Sequence, residues 1–220
     1  MKRTIGVMGN ISAGKTTLCK LIAKRWNYTF YPEEVDELVL NFYYGDRREH
    51  AYNTQVFFLS SRFRNWWHMT ISPNSGVTDR IKEEDIHIFT EKNYRDSFLS
   101  KSEKMILTHQ FEAMKHNIPD PDLVIYPHTE VDELKARIER RLLKEGKVRE
   151  GERGLLARTD SYLEDLNALY EEFYPRYPGN KLRIESNDWK LVDEDGSIRY
   201  DSEDADRLLA IIRQALERNG

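Results

Sequence analysis

The run Gly9-Asn10-Ile11-Ser12-Ala13-Gly14-Lys15-Thr16-Thr17 constrains the fold of this chain more than any other feature. It matches G-x-x-x-x-G-K-[ST], follows the short apolar stretch Thr4 to Met8, and opens into a helical pattern from Leu18 to Ala23. Such a loop needs a strand to deliver it and a helix to start from it. Its glycines let backbone N–H groups wrap round phosphate oxygens, and the helix start adds its positive end. At average residue frequencies the pattern arises by chance in roughly one chain per hundred of this length. Lys15 is placed to neutralise the β- and γ-phosphates of a nucleotide, and the Thr16 hydroxyl to ligate Mg²⁺.

The rest of the chain agrees with a strand-loop-helix unit. Short apolar runs at Thr4 to Met8, Tyr28 to Tyr31, Gly76 to Thr78, Leu123 to Tyr126 and Leu182 to Ile184 alternate with amphipathic segments. Tyr52, Val56, Leu59, Phe63 and Trp66 recur at spacings of three and four, as do Val131, Leu134, Ile138 and Leu142, and then Leu208, Leu209, Ile212 and Leu216. This alternation predicts an α/β fold of three layers, a five-stranded parallel sheet flanked by helices. The stretch 144–160, KEGKVREGERGLLARTD, is charged and weakly patterned, and reads as an exposed loop. With no repeat or Gly/Ser-rich linker, residues 1–220 read as one domain. A chain of this length buries roughly 70% of its unfolded surface without disulfides or metals to brace it.

Composition narrows the partners. Thirty-four Lys and Arg against 38 Asp and Glu give a net charge of −4, which disfavours a dedicated binder of nucleic-acid polymers. The apolar run after Lys2 and Arg3 is too short for a signal peptide or a membrane span, so a soluble protein with no membrane partner is expected. A lone cysteine suits the reducing cytoplasm, and Cys19, one turn after Lys15, reads as a packing residue. The N-K-x-D and T-K-x-D motifs of GTPases are missing and the chain is small for a motor, which leaves a small-molecule kinase.

An acceptor hydroxyl needs a carboxylate to orient it, and Glu33-Glu34-Val35 follows the second strand; alone, these carboxylates read better as the acidic start of a helix from Asp36 to Tyr44. Read with Tyr44, Gln55, Arg62, the pair Asp79-Arg80, Asp85 and the arginines Arg137 and Arg141, the pattern resembles the deoxynucleoside kinase family, in particular its bacterial deoxyadenosine and deoxyguanosine kinases, over most of the chain. The resemblance implies a P-loop kinase fold and phosphorylation of the 5′-hydroxyl of a deoxynucleoside by ATP and Mg²⁺. It implies that Glu33 takes the hydroxyl proton, that Arg80 holds that carboxylate and the reacting oxygens, and that Asp79 joins Thr16 at the metal. Tyr44 would bond the 3′-hydroxyl, and Gln55, Arg62 and Asp85 would read the base. Gln55 and Arg62, seven residues apart on a predicted helix, share a face, and an amide offers a base edge both a donor and an acceptor.

The same resemblance makes 137–160 a lid in which Arg137 and Arg141 cover the ATP phosphates, and implies a homodimer. Two positions depart from the family pattern: Ile81 stands where a serine is usual, and Arg140-Arg141-Leu142-Leu143 replaces Arg-Gly-Arg. Glu145, Glu150 and Glu152 compete as the lid carboxylate that meets the sugar. A kinase of nucleoside monophosphates or modified nucleosides on the same fold, and a nucleotide-binding module without catalysis, are the alternatives. Of the helix aromatics Phe57, Phe58, Phe63, Trp66 and Trp67, most are expected in the core or an interface.

Overall fold

A computed structural model describes residues 2–145 and 161–218, apart from the side chains of Leu142, Lys144 and Glu145. The elements run β1 (Thr4–Val7), α1 (Lys15–Trp26), β2 (Thr29–Tyr31), α2 (Glu37–Gly45), α3 (Arg47–Ile71), β3 (Gly76–Thr78), a π-helical turn (Asp85–Thr90), α4 (Glu91–Arg95), α5 (Lys101–Lys115), β4 (Leu123–His128), α6 (Val131–Glu145), α7 (Tyr162–Phe173), β5 (Lys181–Glu185) and α8 (Glu203–Glu217). The five strands form one sheet in the order β2-β3-β1-β4-β5, and every pairing is parallel. The expected α/β architecture and all five strands are present, each within two residues of its predicted ends.

Period-two alternation sorts the strand side chains into two cores. Ile5, Val7, Leu123 and Ile125 join Leu18, Cys19 and Ile22 of α1 and Leu208, Leu209 and Ile212 of α8 on one face. Met8, Val124 and Tyr126 join Leu59, Phe63 and Trp66 of α3, Leu107 and Phe111 of α5 and Leu166, Leu169 and Tyr170 of α7 on the other. A parallel sheet requires such cover on both faces, because its crossovers carry the helices. Phe63 and Trp66 are therefore core residues, whereas Trp67 is 48% exposed.

The second core also accounts for Ile81. A Cβ on Gly6 would lie 2.4 Å from Ile81 Cγ2, so the missing side chain in β1 is what lets Ile81 settle, fully buried, against the sheet beside Trp66. Cys19 is fully buried too, and burial, with Asp79 nearby, pushes its thiol well above the usual range.

Caps set the helix starts. Asp36 accepts the N–H groups of Leu38 and Val39 ahead of α2, and Ser100 and Glu103 form a reciprocal capping box at α5. Helix α6 extends through Lys144 to Glu145, so it takes in the first two residues of the stretch expected as a loop. The remainder of that segment, with Glu150 and Glu152, lies outside the described residues, as does the side chain of Glu145. Among the described residues no helix is long and apolar enough to cross a membrane.

Candidate active site

The loop after β1 is held from within and from α7. Lys15 Nζ donates to the carbonyls of Gly9 and Asn10, each at 2.8 Å, and Gly14 adopts φ 90° to start α1, a conformation that favours glycine. The Asn10 side chain is buried and donates to the Leu163 carbonyl at 2.9 Å. Burial, together with Arg80, pulls the Lys15 ammonium down to about 8, against the opposing pull of Glu84, Glu33 and Asp79. Arg137 Nη1 donates to Ser186 Oγ at 2.9 Å and to the Ser12 carbonyl at 3.4 Å, and Arg141 Nη2 donates to Ser12 Oγ at 3.4 Å. Both arginines thus reach the loop from α6.

The ends of β2 and β3 supply the carboxylates. Asp79 accepts the Thr16 hydroxyl at 2.7 Å through one oxygen and the Glu33 N–H at 2.6 Å through the other, joining three elements at one side chain. Glu33 Oε2 accepts from Arg80 Nη2 at 3.1 Å and Oε1 from Arg62 Nη2 at 2.9 Å. Arg80 Nε also lies 2.7 Å from Oε1, in ion-pair contact but at an angle that makes no hydrogen bond. Burial works to raise the Glu33 carboxyl, but Arg80 and Arg62 outweigh it and hold the group near 2. Glu34, its neighbour, points elsewhere and pairs with Arg64 at the surface.

Arg62 extends this network to the far side. Its Nε donates to Asp85 Oδ2 at 3.2 Å, and both residues are buried. Burial pushes the Asp85 carboxyl up while Arg62 and Arg80 oppose it. The π-helical turn that begins at Asp85 is what aims this residue at α3, and π turns recur at functional sites. Gln55, two turns before Arg62 on α3, is buried, and its Oε1 has no hydrogen-bond partner among the described residues. Tyr44 stands in an aromatic cluster where its ring meets Tyr43 edge-on at 5.1 Å and the Arg47 guanidinium sits 5.4 Å away.

The structure thus gathers Glu33, Arg62, Arg80 and Asp85 into one chain of ion pairs and places Thr16 with Asp79 beside it. Two further members went unread in the sequence: Glu84, fully buried, and Tyr170, whose hydroxyl it receives at 2.6 Å. Nothing local sets Glu84 apart from Glu83 in the run Lys82-Glu83-Glu84-Asp85.

Chemically, an oxygen set of one hydroxyl and one carboxylate fits Mg²⁺, which usually takes one or two protein ligands and completes its shell with phosphates and water. Among the described residues there is no cluster of three or more His, Cys, Asp or Glu side chains that would hold a metal on its own.

Comparisons with known proteins converge. The deoxynucleoside kinase family model matches residues 5–214. The deoxyadenosine/deoxycytidine kinase of Bacillus subtilis is 32% identical over 200 residues, which cover 88% of this chain and 87% of that one. A deoxyadenosine kinase of Dictyostelium discoideum is 29% identical over 138 residues, 60% of this chain and 56% of that one. Among solved structures, the deoxyadenosine kinase of M. mycoides with bound dCTP superposes with a TM-score of 0.73 at 20% identity, covering 96% of this chain and 99% of the other.

Proposed function

The chain belongs to the deoxynucleoside kinase family, and from that premise we propose that it transfers the γ-phosphoryl group of ATP to the 5′-hydroxyl of a deoxynucleoside, purine deoxynucleosides foremost. The observation that carries this reading is Glu33, a carboxylate gripped by Arg80 and Arg62 beside a phosphate loop. The base preference draws support from the named activities of the relatives and from Gln55, whose unpartnered Oε1 accepts from a base N–H.

Phosphoryl transfer depends mainly on positioning and on neutralising charge. Lys15 and the loop N–H groups hold the donor phosphates, and Arg137 and Arg141, already in reach of Ser12, approach them from above. Thr16 and Asp79 would hold Mg²⁺, which supplies charge neutralisation between the β- and γ-phosphates when bound. Glu33, its carboxyl held low by Arg80 and Arg62 and so ionised at neutral pH, accepts a hydrogen bond from the 5′-hydroxyl and fixes its direction. A carboxylate this weakly basic takes the proton late, once the oxygen has begun to bond phosphorus and grown acidic. Arg80 serves both sides, fixing Glu33 and countering charge on the transferring group. Tyr44 bonds the 3′-hydroxyl, and Arg62 and Asp85 complete the base site.

The lone buried cysteine suits a cytoplasmic enzyme. A homodimer is supported by exposed apolar side chains on two helices that pack together, Trp67 and Ile71 on α3 and Met105 and Ile106 on α5.

The test is a substrate panel: the purified chain with ATP and Mg²⁺ against the four common deoxynucleosides and their 5′-monophosphates. Conversion of deoxyadenosine or deoxyguanosine to the monophosphate is expected. Turnover confined to the monophosphates would move the reading to a nucleotide kinase, and no turnover of any of them would overturn it.

A further inference from the structure

Glu84 has no part in the chemistry above, yet it is among the most completely enclosed groups in the molecule. Its Oε1 receives the Gly9 N–H at 3.2 Å, the Tyr170 hydroxyl at 2.6 Å and Arg80 Nη1 at 3.3 Å, and its Oε2 receives the Ile81 N–H at 2.7 Å. Three of these partners have only hydrogens to offer, which suits a carboxylate with the tyrosine hydroxyl donating; burial pushes the Glu84 carboxyl up, and Arg80, Lys15 and Tyr170 oppose it. A charge with no exposed surface persists only where its partners compensate it, and here they come from both halves of the reaction centre. Gly9 opens the phosphate loop, and Arg80 grips Glu33.

We propose that Glu84, braced by Tyr170, is a positioning residue that locks the phosphate loop and Arg80 to one carboxylate, so that donor and acceptor sites keep a fixed offset. The guanidinium is then held on every side. Nη1 meets Glu84 and the Tyr170 oxygen, Nη2 and Nε face Glu33, and the Phe89 ring lies 4.6 Å away. Its backbone is pinned as well, because Trp66 Nε1 donates to the Arg80 carbonyl at 3.2 Å. A displacement of about 1 Å at such a centre costs roughly 10²-fold in rate, which is the scale on which this clamp matters.

The proposal rests on the roles given above to Glu33 and Arg80, and its test separates the two. In Glu84→Gln an N–H₂ faces groups that can only donate. This variant is expected to lose about 10²-fold in kcat with the KM for deoxynucleoside changed less than about threefold. Its Mg²⁺–ATP affinity, measured by titration calorimetry without any acceptor, should weaken about threefold or more, because the Gly9 N–H loses its carboxylate. Tyr170→Phe removes one hydroxyl and keeps the charge, so a loss of about tenfold in kcat is expected with the Mg²⁺–ATP affinity within about twofold of wild type.

Glu84→Gln with wild-type kcat and wild-type Mg²⁺–ATP affinity, whatever its Tm, would overturn the proposal. Should that variant fail to fold, Tyr170→Phe decides, and a kcat within about twofold of wild type counts against the clamp. If no deoxynucleoside is phosphorylated by the wild type, the functional reading falls while the Mg²⁺–ATP affinity still judges Glu84.

Discussion

Replacing Glu33 with glutamine tests the core of the site by thermodynamics as well as by rate. The carboxyl is held near 2, against an ordinary 4.5, and its side chain is only 19% exposed, so solvent screens it little. At about 1.36 kcal/mol per pH unit, that displacement corresponds to a contribution on the order of 3 kcal/mol to folding at pH 7. A carboxylate with a depressed folded-state pKa contributes fully above its unfolded value and loses the contribution as pH falls through the folded value. The gap in stability between wild type and Glu33→Gln is therefore expected to be widest at pH 6–7 and to shrink by about half at pH 3. Urea unfolding followed by circular dichroism measures it, as a lower midpoint by about 1 M or more at neutral pH. Turnover in the same variant should fall by about 10²-fold or more. A stability gap below about 1 kcal/mol at pH 7, or one that stays constant down to pH 3, would refute the claim that Arg80 and Arg62 together grip this carboxylate.

Three further outcomes are expected. Because the Lys15 ammonium is held near 8 in the free protein, kcat/KM for ATP should decline as pH rises through about 8, with kcat less affected because bound phosphates keep the lysine charged; a flat profile to pH 9.5 would count against it. Gln55→Leu removes a buried, unpartnered carbonyl, so Tm should rise slightly while kcat/KM for the best purine deoxynucleoside falls about 10- to 100-fold, as thermal melts and initial rates would report. Trp67→Glu combined with Ile106→Glu should turn a dimer into a monomer in light scattering, and a wild type already monomeric at micromolar concentration would dismiss the interface.

The sheet and the phosphate loop were legible because their signals are local: apolar runs, a contiguous motif, a helix that starts where the motif ends. The meeting of Glu33, Arg62, Arg80 and Asp85 was not. These residues come from β2, α3, β3 and the turn after it, and only the family resemblance set them side by side in advance. Of the expected lid, 137–145 are helical and 146–160 lie outside the described residues. Helices α5 and α7 hold plain signals, Leu107 with Phe111 and Leu163, Leu166, Tyr170 and Phe173, that lie outside the periodicities first singled out. Glu84 illustrates the deeper limit. Its neighbours in sequence are charged, and the partners that enclose it, Gly9 and Tyr170, stand 75 and 86 residues away.

The burial of Cys19 has a practical consequence. A thiol with no exposed surface, and with its ionisation opposed by burial and by Asp79, reacts slowly with maleimides and iodoacetamide. The protein is in effect silent to thiol reagents. A cysteine introduced at Leu143, 86% exposed near the end of α6, would then be the single labelled site, and a dye there would sense the approach to the charged segment without first stripping the chain of its native sulfur.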